Sequence, residues 1–453
     1  MDETTKRVVD FAAQLSWADL PAEAVHAAKA RLLDSIGVAL AAFGAPPARI
    51  ARSVAPRVDE PWSARIWGSG ARTTPDMAAF VTGSMVRYLD LNDAYRTLDA
   101  SHPSDNLPGI LAVAEALGGS GRDFILALAI SYEIQCRFTD TVPFNDVGYD
   151  QPLVGAMACA LATGRLLGLT TEQLGHAVAL AIVPHLPTYQ TRAGELSMWK
   201  GCAGPNGARH GVFAARLAQV GLTGPYNAFE GIFGVWKQTL GKPGSFTLPQ
   251  PGAQPARALM QTNIKKFAVR DSCQLPIDTA IELRAKIDPA RIATLRVDTY
   301  KSAYAGAVAD RELWQPKTRE TADHSMPFSI AAALLDGDVT PTTFEDGRFL
   351  DPDVISLIGK MAIEIHDDFS KQTPKIRNCR ITAVAVDGSQ AVAHRRVTLA
   401  EIEAGMPDRD VEAKFERLTR PFLAKDTRRR VIDGCWALDA APDIRRVVDL
   451  TLL

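Results

Sequence analysis

The chain is 453 residues long, 47% hydrophobic and 23% charged, with a formal net charge of −2. Such a chain has room for two or three globular domains, and it lacks the basic excess of a nucleic-acid binder. No apolar run reaches membrane-spanning length, and MDETTKRVVDFAAQLSWADLP carries no secretion-signal pattern, so a cytoplasmic protein without a membrane partner is expected.

The first half reads as helix. Pro21 to Phe43 carries an apolar stripe at Val25, Leu32, Ile36, Leu40 and Phe43, with Pro at its start and Gly44 at its end. A helical pattern also follows His102-Pro103-Ser104-Asp105-Asn106-Leu107-Pro108, through Ile110, Leu111, Ala114 and Leu117. Phe124 to Cys136 is almost wholly apolar and predicts a buried helix, as does Val154 to Leu167, closed by Gly168. Thr170 to Gln173 is a capping box that opens a helix running through Ala181. No strand, Gly-rich turn and helix occur in succession, so a nucleotide-binding fold is not supported.

After about Gln261 the texture changes. Ile292 to Tyr300, Met361 to His366 and Ile381 to Val386 alternate as strands, the last turning at Asp387-Gly388 into Ala391 to Val397. Helical patterns at Ile277–Ala285 and Ser329–Leu335 lie between them, and helices return at Asp410–Phe422 and Asp426–Trp436. The expected architecture is mainly α with an α+β second domain: an all-helical domain over residues 1–262, an α+β lid over 263–400 and a helical tail over 401–453. The Pro/Gly-rich stretch Gly241–Pro255 reads as the connector, with Phe246 and Leu248 as residues that pin it down.

The densest chemistry lies between Leu89 and Ala116, where Asp90, Asp93 and His102 fall within thirteen residues. A helix start beside His102 offers unpaired N–H groups that favour anions, so the group suits proton transfer on an acidic substrate. A structural histidine beside a helix cap is the competing reading. Six cysteines (Cys136, Cys159, Cys202, Cys273, Cys379, Cys435) show no CxxC spacing, which argues against a zinc or iron–sulfur site and for reduced thiols.

LDLNDAY…HPSDNLPGILAVAEA resembles the signature of the MmgE/PrpD family, the iron-independent 2-methylcitrate dehydratases and their relatives. GELSMWKG, GPNGARHGVFAARLA, TGPYNAFEGIFG, IKKF and TRETADHSMPF continue the resemblance, in order, as far as Phe328. It implies a cofactor-independent, metal-free hydro-lyase acting on a small di- or tricarboxylate, a homodimer, and a tail that packs back on the helical domain. Other members decarboxylate cis-aconitate or epimerise iminodisuccinate; a non-catalytic carboxylate binder is the reading from another class.

Dehydrating a β-hydroxy acid needs a base at the α-carbon, an acid at the hydroxyl and cations on the carboxylates. The resemblance implies His102 as the general acid/base with Asp90 as its partner, and Lys200 and Lys265 as active-site cations. Lys266 then reads as a solvated neighbour and Asp93 as structural. Two roles fit Arg192, a carboxylate clamp or a partner for Glu195, and two fit His324, lining the cleft or supporting it.

The chain also departs from the family pattern. It has Asn92-Asp93-Ala94 where many members read Asp-Asp-Thr, and Gln151 where relatives carry a histidine. Ala268 replaces a proline, and a further histidine is replaced around Ser272. Glutamine can hydrogen-bond but cannot shuttle a proton at neutral pH. These departures leave open altered chemistry or a weakly active relative.

Overall fold

The computed structural model describes residues 1–453 and is mainly helical, with one four-stranded sheet in its later part. The Pro21 stripe forms the helix Ala22–Ala41, and the two central apolar runs form Gly121–Thr141 and Pro152–Leu166. Ser120 and Asp123 cap the first of these reciprocally, and Thr170 and Gln173 cap Thr171–Ile182 in the same way. Small residues allow close crossing. Ala203–Gln219 lies against Pro152–Leu166 where a Cβ on Gly207 would fall 2.8 Å from the Pro152 carbonyl oxygen, and one on Gly211 would collide with Ala156.

Residues 1–262 are not wholly helical. Two short antiparallel ladders, Ala64–Arg65 with Arg72–Thr73 and Tyr95–Arg96 with Ala100–Ser101, interrupt the helices. Each is only two residues long, too short to show as alternation. The connector Gly241–Pro255 contains no helix or strand, and Phe246 is buried as expected.

The sheet runs in the order Met361–Ile365, Ile292–Thr299, Ile376–Ala385, Gln390–Thr398. The first pair is parallel, with Leu295 opposite Met361; the other pairings are antiparallel, with Val297 opposite Ile381 and Ile381 opposite Ala393. The third strand starts five residues before its sequence pattern. Its early polar residues are consumed by ion pairs, Arg377 with Asp271 and Arg380 with Asp298, so charge there does not mark a loop. The helices Asp271–Arg284 and Met326–Asp336 accompany the sheet.

The tail helix Asp408–Thr419 returns to Ala22–Ala41, where Gly37 leaves room for the ring of Phe415. Its Lys414 Nζ sits 2.6 Å from Asp34 and donates to the carbonyls of Leu91 and Lys265 at 2.8 and 2.7 Å. The tail thus ties together the two stretches that carry the candidate chemistry. No helix is long and apolar enough to cross a membrane.

Candidate active site

The helix Pro75–Tyr88 ends just before Asp90, the one non-glycine residue with positive φ, at +49°. Such a conformation costs ~1–3 kcal/mol and persists only where its surroundings enforce it. Here they do: Lys265 Nζ donates to the Asp90 carbonyl at 2.9 Å and to Oδ1 at 2.5 Å, and Arg87 pairs with the same carboxylate. Lys200 Nζ lies 3.3 Å from Oδ2. Burial alone would raise the Asp90 carboxyl, but Arg87, Lys200 and Lys265 outweigh it and hold it well below the usual range. Burial also lowers both lysines, Lys265 to about 8.

Asp323 and His324 complete the cluster. Both Asp323 oxygens accept from Lys200 Nζ at 2.8 Å, and Arg319 adds a contact at 3.1 Å. His324 Nδ1 lies 2.6 Å from Asp323 Oδ1 and 3.5 Å from Asp90 Oδ2. Burial and the Lys200 charge push His324 down to about 3, so the ring is neutral at neutral pH. The carboxylate assigns the proton to Nδ1, which leaves Nε2 an acceptor with no protein partner, on a ring that lines the pocket.

His102 is placed differently from its expected pairing. Its Nδ1 lies 2.8 Å from the Asp93 carbonyl oxygen and its Nε2 lies 3.0 Å from Arg87 Nη2. Asp90 is therefore not its partner; Arg87 stands between them and occupies both. Burial, Arg87 and Lys265 hold the imidazole well below its ordinary value. An aspartate does orient an imidazole in this site, but the pair is Asp323 and His324.

Four arginines (Arg87, Arg96, Arg192, Arg270) and both histidines line the pocket against two aspartates, Asp150 and Asp271. The pocket is small, about 40 Å³, against the ~300–1,000 Å³ of ordinary ligand pockets. Arg96, Ala100, Asn145, Tyr189 and Arg270 also border an outer vestibule of about 710 Å³. A larger groove of about 990 Å³ runs between Ala22–Ala41 and Glu403–Asp408, but it includes none of the cluster residues. Two charge pairs close within it, His26 with Asp408 and Lys29 with Asp439.

Asp90, Lys200, Lys265 and His324 thus meet, with His102 linked to them through Arg87. Both lysines are buried rather than solvated, and neither lines the pocket; their charge is spent on Asp90 and Asp323. Arg192 lines the pocket and pairs with Asp150 at 3.1 Å, not with Glu195, which accepts from Thr318 and Thr321. Gln151 also lines it, yet its Oε1 accepts from Gln135 and its Nε2 donates to Asp105. Asp93 accepts from Tyr132 and Ser104, and Lys266 is exposed beside Asp278. The Ser272 hydroxyl is buried without a partner. Sequence reasoning passed over Arg87, Asp323 and Arg270. Arg87 sits one helical turn before Asp90, and Asp323 directly precedes His324, so adjacency to the chosen residues was the available signal.

Asp90, Asp323 and His324 could also supply a metal's ligands, since suitable atoms lie within 4.8 Å of one another. The ammonium groups of Lys200 and Lys265 already sit against those carboxylates, and a divalent ion would face both at close range. The donor set fits ammonium better than a metal.

Fold and site together define a mainly helical protein with an α+β part, whose buried cluster of acids, lysines and imidazole lies where the two parts meet. The chain belongs to the MmgE/PrpD family: residues 6–246 match the MmgE/PrpD N-terminal domain and residues 267–438 the C-terminal domain. It is 27% identical over 351 residues to 2-methylcitrate dehydratase of Cupriavidus necator, covering 73% of this chain and 71% of that one. It is also 27% identical over 427 residues to human cis-aconitate decarboxylase, covering 89% and 85%. A cis-aconitate decarboxylase-like protein of Aspergillus oryzae is 24% identical over 477 residues, covering 98% and 96%.

Proposed function

We propose that the chain is a cofactor-independent lyase that dehydrates a small di- or tricarboxylic acid, with 2-methylcitrate or a close analogue as substrate. The observation that carries this reading is the neutral His324, oriented by Asp323, with Nε2 free in an arginine-rich pocket. His324 Nε2 takes the proton α to a carboxylate, and Asp323 and Asp90 offset part of the burial and Lys200 charge that oppose the imidazolium so formed. A substrate carboxylate draws Arg87 away from His102. Freed from that cation and facing an anion, His102 gains basicity, takes up a proton and delivers it to the departing hydroxyl. The products are an alkene acid and water.

A pocket of about 40 Å³ is too small for a citrate-sized acid, so residues 263–400 act as a lid that opens through the vestibule of about 710 Å³. The protein pairs with a second copy of itself through the helical part. Support comes from Tyr226, Ile232 and Phe233, which are 63%, 83% and 79% exposed on one short segment.

Decarboxylation of a cis-aconitate-like acid is the second reading, favoured by the human relative's coverage of 89% of the chain. Incubation with citrate analogues, read by mass, separates these: loss of water supports dehydration and loss of carbon dioxide the alternative. Neither loss, with deuterium incorporated from heavy water, marks an epimerase, and neither loss without incorporation marks a binder.

A further inference from the structure

Arg270 is the one arginine of the pocket wall that the protein leaves uncommitted. Arg87 is held by Asp90 and His102, Arg96 by Asp271, and Arg192 by Asp150 and the Lys200 carbonyl. The Arg270 guanidinium forms no ion pair and no hydrogen bond, although it is half-buried where the inner pocket meets the vestibule. The one acid beside it in sequence, Asp271, already carries Arg377 at 2.9 Å and Arg96 at 3.3 Å.

Its position is fixed from two sides. The Arg270 backbone N–H donates to the Asp323 carbonyl at 2.8 Å, which ties it to the His324 dyad. Its guanidinium lies against the backbone of Gly306, in the helix Lys301–Ala307, where a Cβ would fall 2.5 Å from Nη2 and 2.8 Å from Cζ. A side chain at that position would displace the guanidinium from where it lies. An unpaired guanidinium held flat at a pocket mouth presents its fork of N–H donors to an incoming carboxylate.

We infer that Arg270 anchors a substrate carboxylate remote from the reacting carbons, that Gly306 keeps it in place, and that the pair selects tricarboxylates over dicarboxylates. The inference rests on the reading of this pocket as a carboxylate site and adds how it discriminates among acids. With three carboxylates on the ligand, the inner cations take those nearest the reacting carbons, and Arg270 meets the third at the mouth.

Calorimetric titration with two inert probes, tricarballylate and glutarate, tests this on the full chain. The wild type is expected to prefer tricarballylate. Arg270→Ala should weaken tricarballylate binding by about ten- to a hundredfold, the effect of losing a charged hydrogen bond, while glutarate changes by less than about threefold. Arg270→Lys should fall between, because a point charge replaces the fork, and Gly306→Ala should mimic Arg270→Ala in milder form. The substituted arginine sits at the pocket mouth with no partner to orphan, so the variants fold, and unchanged circular dichroism checks this. An Arg270→Ala variant with unchanged preference overturns the inference alone. A wild type that binds neither probe overturns the carboxylate reading of the pocket and this inference with it.

Discussion

His324→Asn separates proton transfer from structure more cleanly than any other substitution in the site. The asparagine amide nitrogen takes the place of Nδ1 and can keep the hydrogen bond to Asp323, while the free Nε2 is lost. Asp323 also retains both contacts with Lys200 and one with Arg319, so no buried charge is orphaned. The stability cost should stay at about 1–2 kcal/mol. Turnover should fall by about two to four orders of magnitude, or ~3–5 kcal/mol of transition-state stabilisation. The pH dependence of folding supplies a second readout. His324 lies at about 3 in the fold against 6.5 ordinarily, so its contribution to stability is complete above 6.5 and is lost as pH falls towards 3. Denaturant titrations at several pH values should therefore show a shallower acid-side loss for the asparagine variant. The kinetic assay is steady-state turnover on the acid identified by mass, together with deuterium uptake from heavy water. Turnover within about threefold of wild type, in a folded variant, would refute the assignment of the base to His324.

Further outcomes can be measured in the same system. His102→Gln keeps an acceptor for Arg87 but no proton shuttle, so turnover should drop by about two to four orders of magnitude with little change in ligand affinity. Lys265→Ala breaks a fully buried pair with Asp90, which should cost ~3–5 kcal/mol of stability in chemical denaturation in addition to activity. With Lys265 lowered to about 8, activity in a pH–rate profile should decline above that value as the cation is lost, and Lys265→Arg should carry the decline to higher pH. Ala94→Thr places a hydroxyl in the pocket wall and should raise activity on 2-methylcitrate; unchanged kinetics would show that the family threonine is not what limits this chain. Added chelator should leave turnover unaltered. Phe233→Asp should shift sedimentation from dimer towards monomer if the exposed apolar segment is the pairing face.

The long helices were legible because their apolar residues repeat at the helical period and their ends carry Pro, Gly or capping boxes, as at Thr170 and Gln173. The strand Ile376–Ala385 was only half legible, since Arg377 and Arg380 break the alternation for ion pairs that only the folded chain reveals. The site divides in the same way. Asp90, His102, Lys200, Lys265 and His324 were found as residues, but their pairing was not. Asp90 and His102, twelve positions apart, were expected to pair, whereas Arg87 intervenes between them and the acid–imidazole pair is Asp323 with His324. Nearness in sequence does not say which side chain will stand between two others. Arg270 was invisible for a related reason: what distinguishes it is the absence of a partner, and that is a property of everything around it.

The placement of charge explains why the buried lysines need not touch a ligand to matter. Burying an ion pair is seldom a net gain in stability, yet removing one member is costly, so such clusters act chiefly to enforce one arrangement. Lys265 holds Asp90 by both carbonyl and carboxylate in a backbone conformation that the residue would otherwise avoid. Lys414, from the far end of the chain, holds the neighbouring Leu91 carbonyl and the carbonyl of Lys265 itself. Lys200 meanwhile lies between Asp90 and Asp323 and helps keep the His324 ring neutral. On the proposed function, a lysine behind the wall poises the base, while arginines in the wall receive the acid. On this division, lysine substitutions should lower turnover and stability together, and arginine substitutions should chiefly alter which acids bind.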